Sequence, residues 1–271
     1  EVNGQTDTPD FRVYISGHPV PLHTEFHAIV DGTDGDTYLE PVKARVLNSS
    51  FVASGKVEHL QNAPGRDIQL QVQMSHAQIQ DLLILGVRTD PPVMSGAVDM
   101  TTELNLHPGP DDIATRLKLK GKFHVLNGHF SNDKLQKKID DFSLRGMGEP
   151  KLINKAPEIV VPTDLQGTFT LNRGMLSFSF LHFEVPGTHA DMKGRYSLDG
   201  NTFDFHGKLR MDAKLSQMTT GWKSILLKPV DPFFHKNGAG TELPFKITGT
   251  RSEPHFGLDF GYDGKIPTEK Q

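Results

Sequence analysis

The chain has 271 residues, with 29 basic and 33 acidic side chains, 13 histidines and no cysteine, and a formal charge of -4. That near balance, without a block of like charge, disfavours nucleic-acid partners. The missing thiols exclude disulfides, Cys-ligated zinc and thiol nucleophiles, and leave both cytoplasm and periplasm open.

Apolar residues make up 36%, Gly and Pro number 26 and 18, and mean hydropathy is -0.40, the profile of a turn-rich chain rather than a membrane span. The longest apolar run, Leu82 to Val87, falls far short of the ~20 residues that cross a bilayer. Any membrane anchor is expected outside this chain. At ~150 residues per domain, one large or two small domains fit.

Glu1 to Asp10 lack the basic and apolar parts of a secretory signal, so a mature piece of a longer protein is expected. The first strands follow: Phe26, Ala28 and Val30, then Val42, Ala44 and Val46, alternate with polar residues. His23, Glu25 and His27 share the polar parity of the first, a spacing a zinc site can use. A solvated polar face opposite Leu22, Phe26 and Ala28 accounts for them better, because a metal site also needs support from surrounding residues. Asp31, Asp34, Asp36 and Glu40 surround Gly32 and Gly35, but their spacing fails the calcium-loop pattern. An acidic Asp-Gly turn between strands is expected there.

Ile68, Leu70, Val72 and Met74 alternate with Gln69, Gln71 and Gln73 in the next strand, and a short helix is expected over His76 to Leu85. After a break at Pro91 and Pro92, Leu117, Leu119, Gly121, Phe123 and Val125 alternate with Lys118, Lys120, Lys122 and His124. Leu135, Ile139 and Phe142 then fall on one side of a helix over Asn132 to Phe142, with Ser131 or Asn132 as its cap. Asp140 and Asp141 beside Lys137 and Lys138 read as a solvated helix face rather than a catalytic carboxylate pair.

The Pro-rich stretch Gly146 to Pro162 reads as a linker or sheet-crossing loop. The expected division is therefore a β-rich repeat region over 1–146, a crossing segment over 147–162 and a β region over 163–271.

The plainest alternation comes next: Ala190, Met192, Gly194, Tyr196 and Leu198 against Asp191, Lys193, Arg195 and Ser197. A turn at Asp199, Gly200 and Asn201 leads to Phe203, Phe205, Gly207, Leu209 and Met211 against Asp204, His206, Lys208 and Arg210, which makes an amphipathic hairpin. A weaker helix is expected over Leu215 to Leu227. Leu243, Phe245 and Ile247, then Phe256, Leu258 and Phe260, close the series. Hairpins followed by a short helix recur near 22–86, 94–146 and 163–227 as a loose repeat.

Nucleophile-elbow, phosphate-loop, dinucleotide and His-Glu-x-x-His signatures are missing from the sequence. No catalytic residue, metal or cofactor is assigned, and a non-enzymatic protein is expected. The 17 Phe against one Trp and four Tyr fall mostly at one parity of the strands. Alternation alone fixes which face is apolar, and a closed sandwich core is the commoner fate of such a face.

From about Asp164 to Phe260 the chain resembles the C-terminal region of the AsmA-like family of periplasmic proteins. The residues carrying the resemblance are Leu165-Gln166-Gly167-Thr168-Phe169-Thr170-Leu171, Gly174-Met175-Leu176 and Gly194-Arg195-Tyr196-Ser197-Leu198-Asp199-Gly200, followed by Leu226-Leu227-Lys228-Pro229-Val230-Asp231-Pro232-Phe233-Phe234 and Gly238-Ala239-Gly240-Thr241. Pro244-Phe245-Lys246-Ile247-Thr248-Gly249-Thr250 and Pro254-His255-Phe256-Gly257-Leu258-Asp259-Phe260 complete the order. Gly128-His129-Phe130-Ser131 and Ile139 to Gly146 look like the family's preceding repeat.

The resemblance implies a mainly β fold, an elongated, twisted antiparallel sheet folded into a trough with a few short helices. It implies a periplasmic location, with anchoring to the inner membrane of a diderm bacterium through a segment absent from this chain. The implied role is movement of phospholipid towards the outer membrane and outer-membrane biogenesis. On this reading the acyl-chain-lining candidates are Phe123, Val125, Phe169, Leu171, Met192, Tyr196, Leu198, Phe203, Phe205, Leu209, Met211, Phe245 and Ile247. The implied partners are phospholipid acyl chains and envelope proteins. The competing expectation is a structural or assembly module whose apolar face is a closed core.

Overall fold

In the computed structural model, residues 1–13, 16–60, 63–86, 91–153, 160–198, 202–213, 241–250 and 253–264 are described. The fold is mainly β, as expected: one antiparallel sheet of thirteen strands, not closed into a barrel, in which each strand pairs with its neighbour in the chain.

The order is β1 (Val2–Phe11), β2 (Val20–Val30), β3 (Thr37–Val46), β4 (Ser49–His59), β5 (Arg66–Gln78), helix α1 (Ile79–Gly86) and β6 (Met94–Leu106). A single helical turn α2 (Ile113–Arg116), β7 (Leu117–Phe130), α3 (Asp133–Gly146) and a 3₁₀ turn (Pro150–Leu152) follow. β8 (Thr163–Asn172), β9 (Met175–Val185), β10 (Thr188–Ser197), β11 (Thr202–Met211), β12 (Thr241–Thr250) and β13 (Pro254–Leu258) complete it. The turn expected at Asp199 to Asn201 and the helix expected over Leu215 to Leu227 lie outside the described residues. Two compact units divide the chain: Glu1–Ser131 with Thr168–Leu176, and Asn132–Gly167 with Ser177–Gln271.

In the first unit, alternation becomes rows of side chains because antiparallel partners project from the same face. Ile68, Leu106 and Leu117 form one row across β5, β6 and β7, and Leu70, Leu104 and Leu119 the next. Met74, Met100 and Phe123, then Ala77, Val98 and Val125, extend the same face towards α1. Between these rows Gln71, Glu103 and Lys120 line up on the other side.

β6 escapes notice in the sequence because Thr102 interrupts its run Val98, Met100, Leu104 and Leu106. Its register with β5 assigns the face. β1 escapes it because almost all of its residues are exposed, as befits a polar edge strand.

Register slips occur between Glu25 and Ala28, Leu39 and Val42, Met74 and Ala77, and Ser95 and Ala97. Such bulges bend strands and sharpen their twist. Pro41, which has no N–H to give a ladder, falls inside one of them.

His76 falls inside another, in the left-handed region at φ 54°, and its N–H donates to Asp99 Oδ1 at 2.7 Å. The helix expected from His76 therefore starts only at Ile79, because β5 runs on through the bulge. α1 is tied down by Asp81, which is buried and accepts from Ser49 Oγ at 2.8 Å and Asn48 N–H at 3.0 Å.

In the second unit, α3 opens as the sequence indicates, with the Asn132 side chain accepting from Leu135 N–H at 3.0 Å. It runs on to Gly146, four residues past the expected end, and docks on the turn between β9 and β10. A Cβ on Gly146 would clash with the Gly187 carbonyl. Ser143 Oγ donates to Pro186 O at 2.7 Å, and Thr188 Oγ1 to Phe142 O at 3.0 Å.

The solvated reading of Asp140 is overturned. Asp140 is 6% exposed and accepts both Gln136 Nε2 and Val161 N–H at 2.9 Å. Gln136 also donates to Val161 O at 3.2 Å. The far end of the Gly146–Pro162 stretch is thus fastened to α3, because a buried carboxylate satisfies a backbone amide that would otherwise be orphaned. Replacing Asp140 with Ala is expected to cost about 1–3 kcal/mol, the desolvation penalty of the stranded donors. Urea unfolding of the variant and parent checks this.

Candidate functional site: an apolar sheet face

The thirteen candidates fall in both units. Phe123, Val125, Phe169 and Leu171 lie in the first, and the Phe123 and Phe169 rings meet at 6.2 Å and 54°. Val125 and Leu171 are buried, whereas both rings keep partial exposure.

In the second unit, strand register puts the candidates on one face. Tyr196 opposes Phe203, Ala190 opposes Leu209, and Gly207 faces Met192 on one side and Phe245 on the other. Phe205 lies between Gly194 and Ile247, and Ile247 in turn faces Phe256. Tyr196 and Phe203 stack at 5.1 Å, Phe203 meets Phe205 at 6.4 Å, and Phe205 meets Phe178 of β9 at 5.8 Å. Leu198, which continues the β10 parity, sits just past the end of the strand in a turn.

Cover is uneven along this face. At one end, Met211, Ala213 and Leu243 form a buried cluster against which Phe142, Leu209 and Leu258 pack, so α3 closes that end. Lys138 of the same helix lies 5.5 Å from the centre of the Phe256 ring. At the other end, Tyr196, Phe203, Phe205 and Ile247 are only half-buried, and Phe256 is 54% exposed. A fully closed sandwich core would bury these rings. The site thus joins a sealed end to a partly open apolar surface.

Glycine leaves room for two of these rings. A Cβ on Gly194 would sit 2.5 Å from Phe205 Cδ1, and one on Gly121 would sit 3.0 Å from Phe169 Cε1. Replacing Gly194 with Val is expected to lift the Phe205 ring and destabilise the protein by about 1–3 kcal/mol, the usual cost of overpacking. Chemical denaturation gives the loss, and near-ultraviolet dichroism reports the displaced ring.

The opposite face carries charge and amide groups. His23 and His27 do not converge: His23 Nδ1 contacts Asp7 Oδ1 and His27 Nδ1 contacts Asn3 Oδ1, each at 2.7 Å. Among the described residues no group of three or more His, Asp or Glu is placed to hold a metal ion. Asp31 to Asp36 form the expected turn: the Asp31 carboxylate accepts Thr33 N–H at 2.8 Å and is thereby held below its ordinary range.

On β12, Glu242 accepts from Lys208 and Arg210, both at 2.8 Å, and these cations lower its carboxyl pKa. A lowered folded value means that this pair stabilises the fold above the unfolded carboxyl pKa and is lost as pH falls through the folded one. Because the side chains are well exposed, the effect is expected to stay below ~1 kcal/mol. Replacing Glu242 with Gln should flatten the acid limb of stability against pH by that amount, read from urea midpoints.

In the first unit the apolar side extends beyond the candidates. Leu104, Leu106, Leu117 and Leu119 are half-buried on the same side as Phe123. The β7 pair was legible from its alternation, whereas the β6 pair was hidden by Thr102.

No protein-family model matches the chain, and neither a curated protein nor a solved structure matches it. No helix among the described residues is long and apolar enough to cross a membrane.

Proposed function

We propose that this chain is a non-catalytic lipid-handling segment whose apolar sheet face solvates acyl chains, supporting phospholipid movement between the inner and outer membranes from the periplasm. One observation carries the reading: in each unit the apolar residues align across successive strands into a continuous face that is only half-buried over much of its length. The ordered motifs that resemble the AsmA-like family support it, and the compartment is what that resemblance implies.

Physically, each methylene that leaves water for such a face gains ~0.8 kcal/mol. Rows of similar Phe, Leu, Met and Ile side chains give a chain many comparable positions, whereas a single deep pocket would hold it in one place. Bare apolar surface of this kind is also an aggregation hazard, which is a reason for it to be occupied.

Purified protein is expected to carry phospholipid, detected by native mass spectrometry and by solvent extraction. Replacing Phe205 with Asp should reduce the bound lipid at least tenfold, since a carboxylate against acyl chains costs several kcal/mol. Replacing Gln73 with Asp, on the polar face, should leave it unchanged. Lipid-free protein, or equal loading in all three, overturns the proposal. A photo-crosslinker at Phe203 that captures protein and no lipid would establish the assembly-module reading in its place.

A further inference from the structure

We infer that His206 is a proton-dependent clasp that fastens the segment after β13, and with it the edge strand itself, to the polar face of the second unit. β13 is only five residues long and has one ladder neighbour, β12. Beyond it the chain stays on the sheet: Asp259 N–H donates to Pro244 O at 3.1 Å, Tyr262 N–H donates to Asp259 O at 3.1 Å, and Lys193 Nζ donates to Gly264 O at 3.2 Å. His206 sits beneath this segment, its side chain 12% exposed and its ring stacked on Tyr262 at 6.1 Å and 21°. Burial raises the Tyr262 hydroxyl pKa, in keeping with a covered position.

Both ring nitrogens face carboxylates. Nδ1 lies 2.6 Å from Asp259 Oδ2, and Nε2 lies 3.0 Å from Asp204 Oδ1. An ionised carboxylate only accepts, and a neutral imidazole donates from one nitrogen alone. Both hydrogen bonds therefore exist together only when the ring carries both protons. Other charges face the ring as well. Lys193 of β10 and Lys246 of β12 oppose it in register, with Lys208 two residues on in β11, and Asp263 lies in the covering segment.

Lys193 is turned to the Gly264 carbonyl and Lys246 is exposed, which leaves the two carboxylates as the ring's hydrogen-bond partners. The same double flanking recurs in more open form at His23, between Asp7 and Glu25, and at His182, between Asp191 and Glu184. Because the protonated ring gains partners on folding, the clasp is closed at acid pH. It loosens once the ring gives up a proton, since a neutral imidazole can donate to only one of the two carboxylates.

Amide hydrogen exchange on the full chain, corrected for intrinsic rates, tests this at pH 5 and pH 8. Protection of the Asp259 and Tyr262 amides is expected to be about tenfold higher at pH 5, the effect of one charge-assisted hydrogen bond. His206→Gln and Asp259→Asn should each abolish that difference while leaving the exchange of the Phe203 and Phe205 amides as in the parent, which reports an intact sheet. Equal protection at both pH values in the parent, or a pH difference that persists in His206→Gln, overturns the proposal.

Discussion

Strand register is the constraint on which the rest of this structure depends. A strand pattern of period two assigns each residue to a face, but only correct pairing with both neighbours turns many narrow apolar stripes into one surface. In β5, β6 and β7 that condition is met over Ile68, Leu106 and Leu117, again over Leu70, Leu104 and Leu119, and again over Met74, Met100 and Phe123. A shift by one residue would set leucines against glutamines and lysines. Glycines opposite aromatic rings reinforce the arrangement, since Phe205 over Gly194 and Phe169 over Gly121 occupy space that only a missing side chain provides.

Most of the strands and the sign of their faces were legible in the sequence, because alternation is a local property. Ala190 to Ser197 and Phe203 to Met211 read as a hairpin, and the structure pairs them residue for residue. What could not be read belongs to longer range. Asp140 has the neighbours of a solvated helix residue, and only the return of Val161, twenty-one positions later, makes it a buried acceptor. His76 appeared to start a helix, but a bulge held by Asp99 keeps it in β5. β6 needed its partners to reveal a face that Thr102 obscures.

The candidate site divides in the same way. Alternation identified which side of β7, β10, β11 and β12 is apolar, yet in the second unit how much of that side is covered depends on α3. Phe142 seals the region of Met211 and Leu243, and Lys138 reaches Phe256. Tyr196, Phe203, Phe205 and Ile247 remain half-buried. Amphipathic strands thus supply the surface, and a helix capped by Asn132 sets where it ends.

Pairing each strand only with its neighbours in the chain also bears on how the molecule is made. Most ladder partners lie a single turn or a short helix apart, with long connections only between β7 and β8 and between β11 and β12, so loop-closure entropy stays modest at most additions. Such a sheet can grow by accretion from one margin, each new hairpin templating on the last, in the manner of arrays whose units contact only their neighbours. Assembly can therefore keep pace with a chain delivered end first, without waiting for its final residues.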